Sequence, residues 1–444
     1  MRRFLLLLAV LALGACGQRN PVLSITGGQI QGVPGENKDV LVYKGIPFAA
    51  PPVGELRWKA PQPVVPWEGV KIADTYGLRA MQRGNQPGSF YWKEFYWEGD
   101  PDMSEDCLYL NIFAPAKSVG KPESKLPVAM NIHGGAFSGG YPYSTQFDGE
   151  AWAERGVILV TVAYRLGILG FLNHPELSAE AGGHSGNYGI EDQAAALKWI
   201  HDNISQFGGD PDNVTIMGQS AGGMSVKYLL NSPLAAGLFS KAIIQSGGGL
   251  DLAPGEPAAH TSQEELDERG KKAFDAAGLD NLAKMRAASY QELAKIRSFY
   301  TPHVDGPVIA RDFSEATYTN TLADVPIMIG YNSQDMAALA GKSVDRFCDV
   351  RDSLSSRPVY EYEFVRNLPG DDDDPEKDPG AFHSAELWFV FHTLERSWRP
   401  WTPGDYALAD EVVDAWTGFC KTGNPGWDEY HWDKPYKKIF DVKP

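Results

Sequence analysis

Cysteine is scarce in this chain, with four residues among 444. Cys16 follows an N-terminal apolar run, which leaves Cys107, Cys348 and Cys420 for the folded part of the chain. Three is an odd number, so at most one disulfide forms and one thiol stays free. The spacing of these cysteines is not that of a metal site. The sequence therefore excludes a fold that depends on several disulfide bonds.

Positive charge is also in short supply. Forty Lys and Arg residues face 57 Asp and Glu residues, for a net charge of −17. A surface that binds the phosphate backbone of a nucleic acid needs clustered Lys and Arg, so we expect no nucleic-acid partner. The charge is compatible with an extracytoplasmic enzyme that acts on neutral substrates. No internal repeat is visible.

The apolar run Phe4–Leu13 is too short to span a bilayer as a mature helix. It follows Arg2 and Arg3 and leads into Gly14-Ala15-Cys16, which resembles a bacterial lipoprotein signal in which the cysteine is lipidated. The alternative is a plain secretory peptide cut near Ala15. We predict a signal peptide at 1–15, a single domain at 16–444 and an exported protein. Acyl chains on Cys16 would hold it at a bacterial membrane, on the periplasmic side or the cell surface.

Apolar runs alternate with helical patterns along most of the chain, which predicts an α/β fold. The central sheet should be twisted, mostly parallel and flanked by helices, because several of its strands are apolar throughout. A small antiparallel strand pair is expected at the N-terminus, with its turn at Gly27-Gly28. The main predicted strands are Leu108–Ala114, Val128–Ile132, Val157–Tyr164, Val214–Met217, Lys241–Gln245, Val325–Gly330 and Val359–Phe364, and a helix is predicted over Asp192–Phe207.

The turn Gly218-Gln219-Ser220-Ala221-Gly222 joins an apolar strand to a run of small residues. A Gly-x-Ser-x-Gly turn between strand and helix is typical of the nucleophile elbow of an α/β-hydrolase. Such an elbow strains the serine backbone, and its glycines let the strand and the helix approach each other. The motif alone is weak evidence in a chain with 47 glycines, so the rest of the sequence has to support it.

An acid and then a histidine follow the serine in this fold. Asp335 follows the strand Val325–Gly330 at its carboxyl end, where sites of open α/β sheets form. Asp324 precedes the same strand, and we interpret it as a capping or surface residue.

Three histidines follow Asp335. His383 lies where a loop meets a helical run, so its ring can reach across the top of the sheet. His392 lies within that helical run and is interpreted as a packed, hydrogen-bonded residue. His431 lies in an aromatic tail without supporting context. The predicted catalytic residues are therefore Ser220, His383 and Asp335.

The strand Val128–Ile132 leads into a glycine loop, His133-Gly134-Gly135-Ala136-Phe137. Backbone N–H groups from such a loop, together with that of the residue after the serine, can bind an oxyanion. We predict that the donors are the N–H groups of Gly135, Ala136 and Ala221.

Two other segments have more than one interpretation. Residues 89–97 are rich in aromatic side chains, which either line a substrate gorge or pack onto the core; packing is favoured, because aromatics usually serve burial. Residues Asp371–Asp374 form an acidic run. The run lacks the alternating ligand spacing of a calcium loop, so we expect solvated acids and no metal.

Several longer motifs, in order from about Gly27 to Pro425, resemble the type-B carboxylesterases, the family that also holds the cholinesterases. The matching segments are Tyr43–Trp58, Glu105–Pro115, Tyr164–Gly167, Gly186–Gln193, Phe207–Pro211, His383–Leu387, Trp416–Phe419 and Thr422–Pro425. The resemblance implies serine-esterase chemistry without a cofactor. It assigns the nucleophile to Ser220, the base to His383, the acid to Asp335 and the oxyanion donors to Gly135, Ala136 and Ala221.

The chain also departs from that family's pattern. The acid is usually Glu and is Asp335 here, and Gln219 stands where Glu is commoner. Met81 occupies the position of the usual disulfide partner of Cys107, so that bridge should be absent. The segment 336–382, between acid and base, is much shorter than usual, and the missing part normally helps to wall the acyl pocket.

The sequence therefore predicts a carboxylic-ester hydrolase that works through an acyl-enzyme on a small-molecule ester. One alternative is an esterase of acylated carbohydrates, with which the aromatic segment and the surface location are compatible. The other is a non-catalytic binding protein on the same fold, which predicts loss of a catalytic residue.

Overall fold

The computed structural model describes residues 20–256, 258, 261–296, 300–335, 338–370 and 380–443. The strands are β1 (Val22–Ile25), β2 (Gly28–Gln31), β3 (Val33–Pro34), β4 (Val40–Pro47), β5 (Val70–Ile72), β6 (Arg79–Ala80), β7 (Met103–Ser104), β8 (Tyr109–Pro115), β9 (Leu126–Ile132), β10 (Ile158–Val162), β11 (Gly209–Gln219), β12 (Lys241–Gln245), β13 (Ile327–Asn332), β14 (Val359–Phe364) and β15 (Lys437–Phe440).

The α-helices cover the faces of the sheet and the segments between its strands. They are α1 (Phe90–Phe95), α2 (Glu150–Glu154), α3 (Gly167–Phe171), α4 (Pro175–Glu180), α5 (Tyr188–Asn203), α6 (Ala221–Leu229), α7 (Gln263–Ala276), α8 (Leu282–Ala287), α9 (Tyr290–Leu293), α10 (Phe313–Tyr318), α11 (Ala338–Leu354), α12 (Leu387–Val390) and α13 (Pro403–Thr422).

Ten strands form one mixed sheet in the order β15-β14-β13-β12-β11-β9-β10-β8-β4-β3. Every neighbouring pair from β15 to β10 is parallel, and the pairs β10–β8, β8–β4 and β4–β3 are antiparallel. The predicted α/β class with a mostly parallel sheet is therefore confirmed. The parallel strands all end at one edge of the sheet, where β9, β11 and β13 lead into the predicted site loops.

The central strands are buried on both faces, as their uninterrupted apolar runs predict. On β11, Ile216 belongs to a core cluster with residues of α5 and α6, whereas Met217 belongs to a second cluster with residues of α12 and α13. Both side chains have no solvent exposure. Successive side chains of β11 thus point to opposite faces of the sheet and pack into two separate apolar cores, one under each layer of helices.

The predicted N-terminal strand pair is confirmed, since β1 and β2 are antiparallel. A third strand, β5, pairs in parallel with β2 and was not predicted. Its three residues follow a proline-rich segment and carry too short a pattern to indicate a strand from sequence. Helix α5 also begins four residues earlier than predicted and ends at Asn203, with a 3₁₀ turn over Ile204–Phe207.

The three cysteines of the described residues are all free and buried. Cys107 and Met81 line the same small cavity, so the methionine lies where a bridging partner could have been. The expected absence of that bridge is therefore seen. Among the described residues, none of the helices combines the length and the apolar character needed to cross a membrane.

Gly222 on α6 is required by close packing. A Cβ atom on it would overlap the carbonyl oxygen of Ile132, at the end of β9. We expect Gly222→Ala to lower the free energy of unfolding by about 1–3 kcal/mol, because helix and strand must separate to admit the methyl group. Urea denaturation measures this effect.

Gly418→Ala is a matched control for Gly222→Ala. Gly418 also lies in a helix, α13, but the nearest atom to its added Cβ would be 3.6 Å away, an ordinary contact. Alanine there should raise the free energy of unfolding by up to about 1 kcal/mol through helix propensity. Equal destabilisation by both variants would contradict the packing argument.

Candidate active site

Ser220 lies between the last residue of β11 and the first residue of α6. Its backbone has φ +58° and ψ −124°, a strained conformation for a residue with a side chain. The strain is supported by a hydrogen bond of 2.9 Å from its N–H to the carbonyl of Gln245, on the neighbouring strand β12. The side chain remains partly exposed at the carboxyl end of the sheet, as the elbow motif predicts.

The glycine loop after β9 packs directly against this turn. A Cβ atom on Gly134 would lie 2.8 Å from the carbonyl oxygen of Gln219 and 3.1 Å from the Cβ of Ser220. Gly135 and Ala136 both have positive φ, 112° and 52°, which turns the loop back over the elbow. A larger residue at Gly134 would push the loop away from the serine.

His133, at the start of this loop, is a structural residue. Its Nδ1 donates to the carbonyl of Gly134 at 2.8 Å, and its ring stacks on Tyr164, whose hydroxyl donates to the His133 carbonyl. Burial lowers the pKa of His133 to about 4, so the ring stays neutral at physiological pH. A neutral, fixed ring holds the loop in one position.

The N–H groups of Gly135, Ala136 and Ala221 donate to no acceptor among the described residues. Gly135 and Ala136 are exposed, and Ala221 is the first residue of α6. The positive end of the helix dipole therefore adds to three available donors around the serine.

Asp335 lies just past the end of β13 and is 5% exposed. One of its carboxylate oxygens accepts the N–H of Asn332 at 3.0 Å, which fixes the turn after the strand. The N–H of Gln334 donates to the carbonyl of Ala381 at 3.1 Å, so this turn is bonded to the segment that carries His383.

His383 connects the acid to the elbow. Its Nδ1 is hydrogen-bonded to the other oxygen of Asp335. Its Nε2 lies 3.3 Å from the side-chain nitrogen of Gln219, the residue before Ser220. The Gln219 oxygen accepts from the hydroxyl of Ser384 at 3.1 Å. With the proton on Nδ1 facing Asp335, Nε2 is an acceptor directed at the elbow.

A second carboxylate, Glu386, is fully buried beside this pair. It accepts from the Asn332 amide at 2.5 Å, and the same amide donates to the Phe382 carbonyl at 2.7 Å. Burial, reinforced by the charge of Asp335, raises the pKa of Glu386 to about 7. The role of Asn332 was not predicted, because its partners lie 50 or more residues away and its local sequence gives no signal.

The aromatic segment packs onto the loop that carries His383. Phe90 meets Phe382 edge-on at 4.8 Å between ring centroids, and Phe95 packs in the core against Trp388. The Tyr91 hydroxyl donates to the carbonyl of His383 at 3.1 Å. Packing onto the core was the favoured interpretation, but the contact with His383 was not predicted.

The competing sequence candidates lie away from Ser220. Asp324 is bonded to Ser355 and Arg357 at the other end of β13. His392 follows α12 instead of lying within a helix, and its Nε2 is 3.3 Å from Asp410. His431 contacts Asp352 on the surface.

Asp371–Asp374 and Cys16 lie outside the described residues. Within the described residues, no group of three or more His, Cys, Asp or Glu side chains is placed to hold a metal ion.

A cavity of about 490 Å³ begins one helical turn beyond Ser220. Met224 and Tyr228 of α6 form its floor, and α7 and the segment Tyr300–Val304 form part of its walls. All the lining residues of this cavity lie outside the shortened segment 336–382.

Strand, elbow and helix follow one another here as they do in the α/β-hydrolases, and the histidine–carboxylate pair beside Ser220 places the chain among the serine hydrolases of that class. A model of the carboxylesterase family matches residues 19–356. The chain therefore belongs to the carboxylesterase family, as the motifs predicted, and it is a carboxylic-ester hydrolase.

Similar proteins include esterases of bacteria. The para-nitrobenzyl esterase of Bacillus subtilis is 35% identical over 90% of this chain and 91% of its own. The fumonisin B1 esterase of Sphingopyxis macrogoltabida is 38% identical over 78% of this chain and 60% of its own. A solved structure of PNB esterase superposes with a TM-score of 0.82 at 30% identity, covering 96% of both chains. These relatives support serine-dependent ester hydrolysis over a non-catalytic role.

Proposed function

We propose that Ser220 is the nucleophile, His383 the general base and Asp335 the acid that orients it. The observation that carries this assignment is the position of His383, which is bonded to Asp335 through Nδ1 and directs Nε2 at the elbow. Only the tautomer with its proton on Nδ1 leaves Nε2 unprotonated and able to take the Ser220 proton.

In the first half of the reaction, Ser220 Oγ attacks the ester carbonyl as its proton passes to His383 Nε2. In the resting site the Gln219 amide is hydrogen-bonded to His383 Nε2, and this bond must break so that the serine hydroxyl can donate to Nε2 instead. The hydrogen bond from serine to histidine tightens when substrate is bound. The negative charge formed on the carbonyl oxygen is bound by the N–H groups of Gly135, Ala136 and Ala221.

His383 then returns its proton to the leaving alkoxide, and the acyl-enzyme forms. In the second half, water loses a proton to His383 and attacks the acyl carbonyl, which releases the acid and restores Ser220. Asp335 stabilises the imidazolium that forms in each half.

The pH dependence of kcat/KM tests the assignment of the base. Burial lowers the pKa of His383, but the bond to Asp335 and the charges of Asp335 and Glu386 outweigh it, so the pKa lies above 6.5. Because the base must be neutral, activity should fall as pH decreases through that raised pKa. With a short p-nitrophenyl ester, we expect the midpoint of the acid limb of the kcat/KM profile to lie above pH 6.5.

Glu386→Gln sharpens this measurement. It removes a carboxyl that is ionised above its pKa of about 7 while keeping an acceptor for Asn332, so the pKa of His383 should fall and the acid limb should move to lower pH. Glu429→Gln, on the surface beside His431, should leave the limb unchanged. An acid limb at or below 6.5, or one that Glu386→Gln does not move, would count against His383.

We further propose that residues 1–15 are a signal peptide, that 16–444 form one domain, and that Cys16 carries acyl chains. The support is the sequence alone: two arginines, a short apolar run and small residues directly before a cysteine. The mass of the mature N-terminal peptide tests this, because acylation adds the mass of its fatty chains and Cys16→Ser removes it.

A further inference from the structure

The small N-terminal sheet has an outer face that none of the other described segments covers. Val22, Val70 and Ile72 on this face are 46%, 43% and 48% exposed, whereas Leu23 and Ile30 on the opposite face are buried. The register pairs Val22 with Gln31 and Gln31 with Ile72, and likewise Ser24 with Gln29 and Gln29 with Val70.

The six residues of this face, which we call the outer face, include no charged side chain. They are Val22, Ser24, Gln29, Gln31, Val70 and Ile72. In a protein with 22% charged residues and a net charge of −17, such a surface costs little to bring against a lipid interface. Three exposed β-branched apolar side chains also gain by leaving water.

The sheet sits at the end of the molecule opposite the catalytic site. The backbone N–H and the hydroxyl of Thr26 donate to the Asn203 side chain at 2.8 and 3.1 Å, just before β11 begins. Ser220 follows the other end of β11. The paired strand β9 has seven residues, so the two ends are at least about 20 Å apart.

The chain between Cys16 and the fold is very short. Asn20 is already fixed, because its side chain donates to the Gly32 carbonyl at 2.9 Å and its own carbonyl accepts from Gln31. The three residues between Cys16 and Asn20 reach about 14 Å when fully extended. A folded protein of 444 residues has a radius of gyration of about 22 Å. A tether of about 14 Å therefore cannot bring the far end of the molecule to the membrane.

We propose that the outer face lies against the lipid surface and that the catalytic end points into the water phase, so that the substrates are dissolved esters and not esters within the bilayer. This inference rests on the proposed acylation of Cys16. It adds a membrane-contact surface and a substrate class defined by its location.

Spin labels on introduced cysteines test this orientation. The labelled positions are Val70→Cys and Ile72→Cys on the outer face, and Trp97→Cys, two residues beyond α1, the helix whose Tyr91 is bonded to the backbone of His383. Trp97 is 45% exposed. The native thiols at 107, 348 and 420 are buried, so they should not react. Each variant is made with Cys16 and with Cys16→Ser, and mixed with vesicles of phosphatidylethanolamine and phosphatidylglycerol.

With acylated Cys16, labels at 70 and 72 should collide more often with oxygen and severalfold less often with a soluble nickel chelate than in Cys16→Ser. The label at 97 should show no difference. Turnover of dissolved p-nitrophenyl acetate should be the same for vesicle-bound enzyme and the Cys16→Ser enzyme.

Shielding of the label at 97, or unchanged collision rates at 70 and 72, would overturn the orientation while leaving the esterase assignment intact. A mature protein without acyl mass on Cys16 would overturn both the anchor and the orientation. Absence of p-nitrophenyl acetate turnover in the unlabelled Cys16→Ser enzyme would count against the esterase function and not against the orientation.

Discussion

Replacing Ser220 with alanine is expected to lower kcat for a short p-nitrophenyl ester by about 10⁴- to 10⁶-fold, because the acyl-enzyme can no longer form. The oxyanion donors are backbone groups and remain, so weak activity above that of water is compatible with the mechanism. Initial rates with the purified variant measure the loss.

Ser225→Ala is the matched control, since Ser225 lies on the same helix and its hydroxyl donates to the Ala221 carbonyl away from the reaction. It should keep most of the activity. An organophosphonate probe should label the parent enzyme and Ser225→Ala but not Ser220→Ala. Full activity or labelling in Ser220→Ala would sink the assignment of the nucleophile.

Asp335→Asn is expected to lower kcat by about 10⁴-fold, because an amide nitrogen facing Nδ1 favours the tautomer with its proton on Nε2. The variant should still fold, since Asn keeps the size of Asp and an oxygen for the N–H of Asn332. The loss should appear in kcat more than in KM, because Asp335 stabilises the imidazolium of the transition state.

Asp324→Asn tests the same strand from its other end. Asp324 is surface-exposed and paired with Arg357 and, at 3.6 Å, with the buried Arg351, far from Ser220, so its amide variant should have near-parent activity. Equal losses in the two variants would mean that Asp335 acts through stability instead of through His383. Thermal denaturation of both variants separates these explanations.

The position of the strained turn at Ser220 and that of the Asp335 carboxylate could be predicted because each depends on a short local pattern. Gly218 and Gly222 flank Ser220 within five residues, and Asp335 follows directly on an apolar strand. The predicted bounds of β12 and β14 agree with the structure, because each is an apolar run with clear ends. For such elements, local chemistry and tertiary burial favour the same structure.

The supporting contacts of the site could not be predicted in the same way. Tyr91 reaches the carbonyl of His383 across 292 positions, and Asn332 reaches Glu386 across 54. Strand β5 exists because β2 offers it a free edge, not because its three residues have a strong strand pattern. These features depend on how distant segments pack, and neither periodicity nor turn residues record that.

The packing of α1 on the loop of His383 means that a change in the aromatic segment also changes the support of that loop. Tyr91 is 42% exposed at the surface, yet its hydroxyl is bonded to the backbone of His383. Trimming this aromatic segment would release the His383 carbonyl from the Tyr91 hydroxyl and leave the ring less firmly held. The cavity along α6 that Met224 lines has no bond to His383 among the described contacts, so substitutions there should leave the loop of His383 in place.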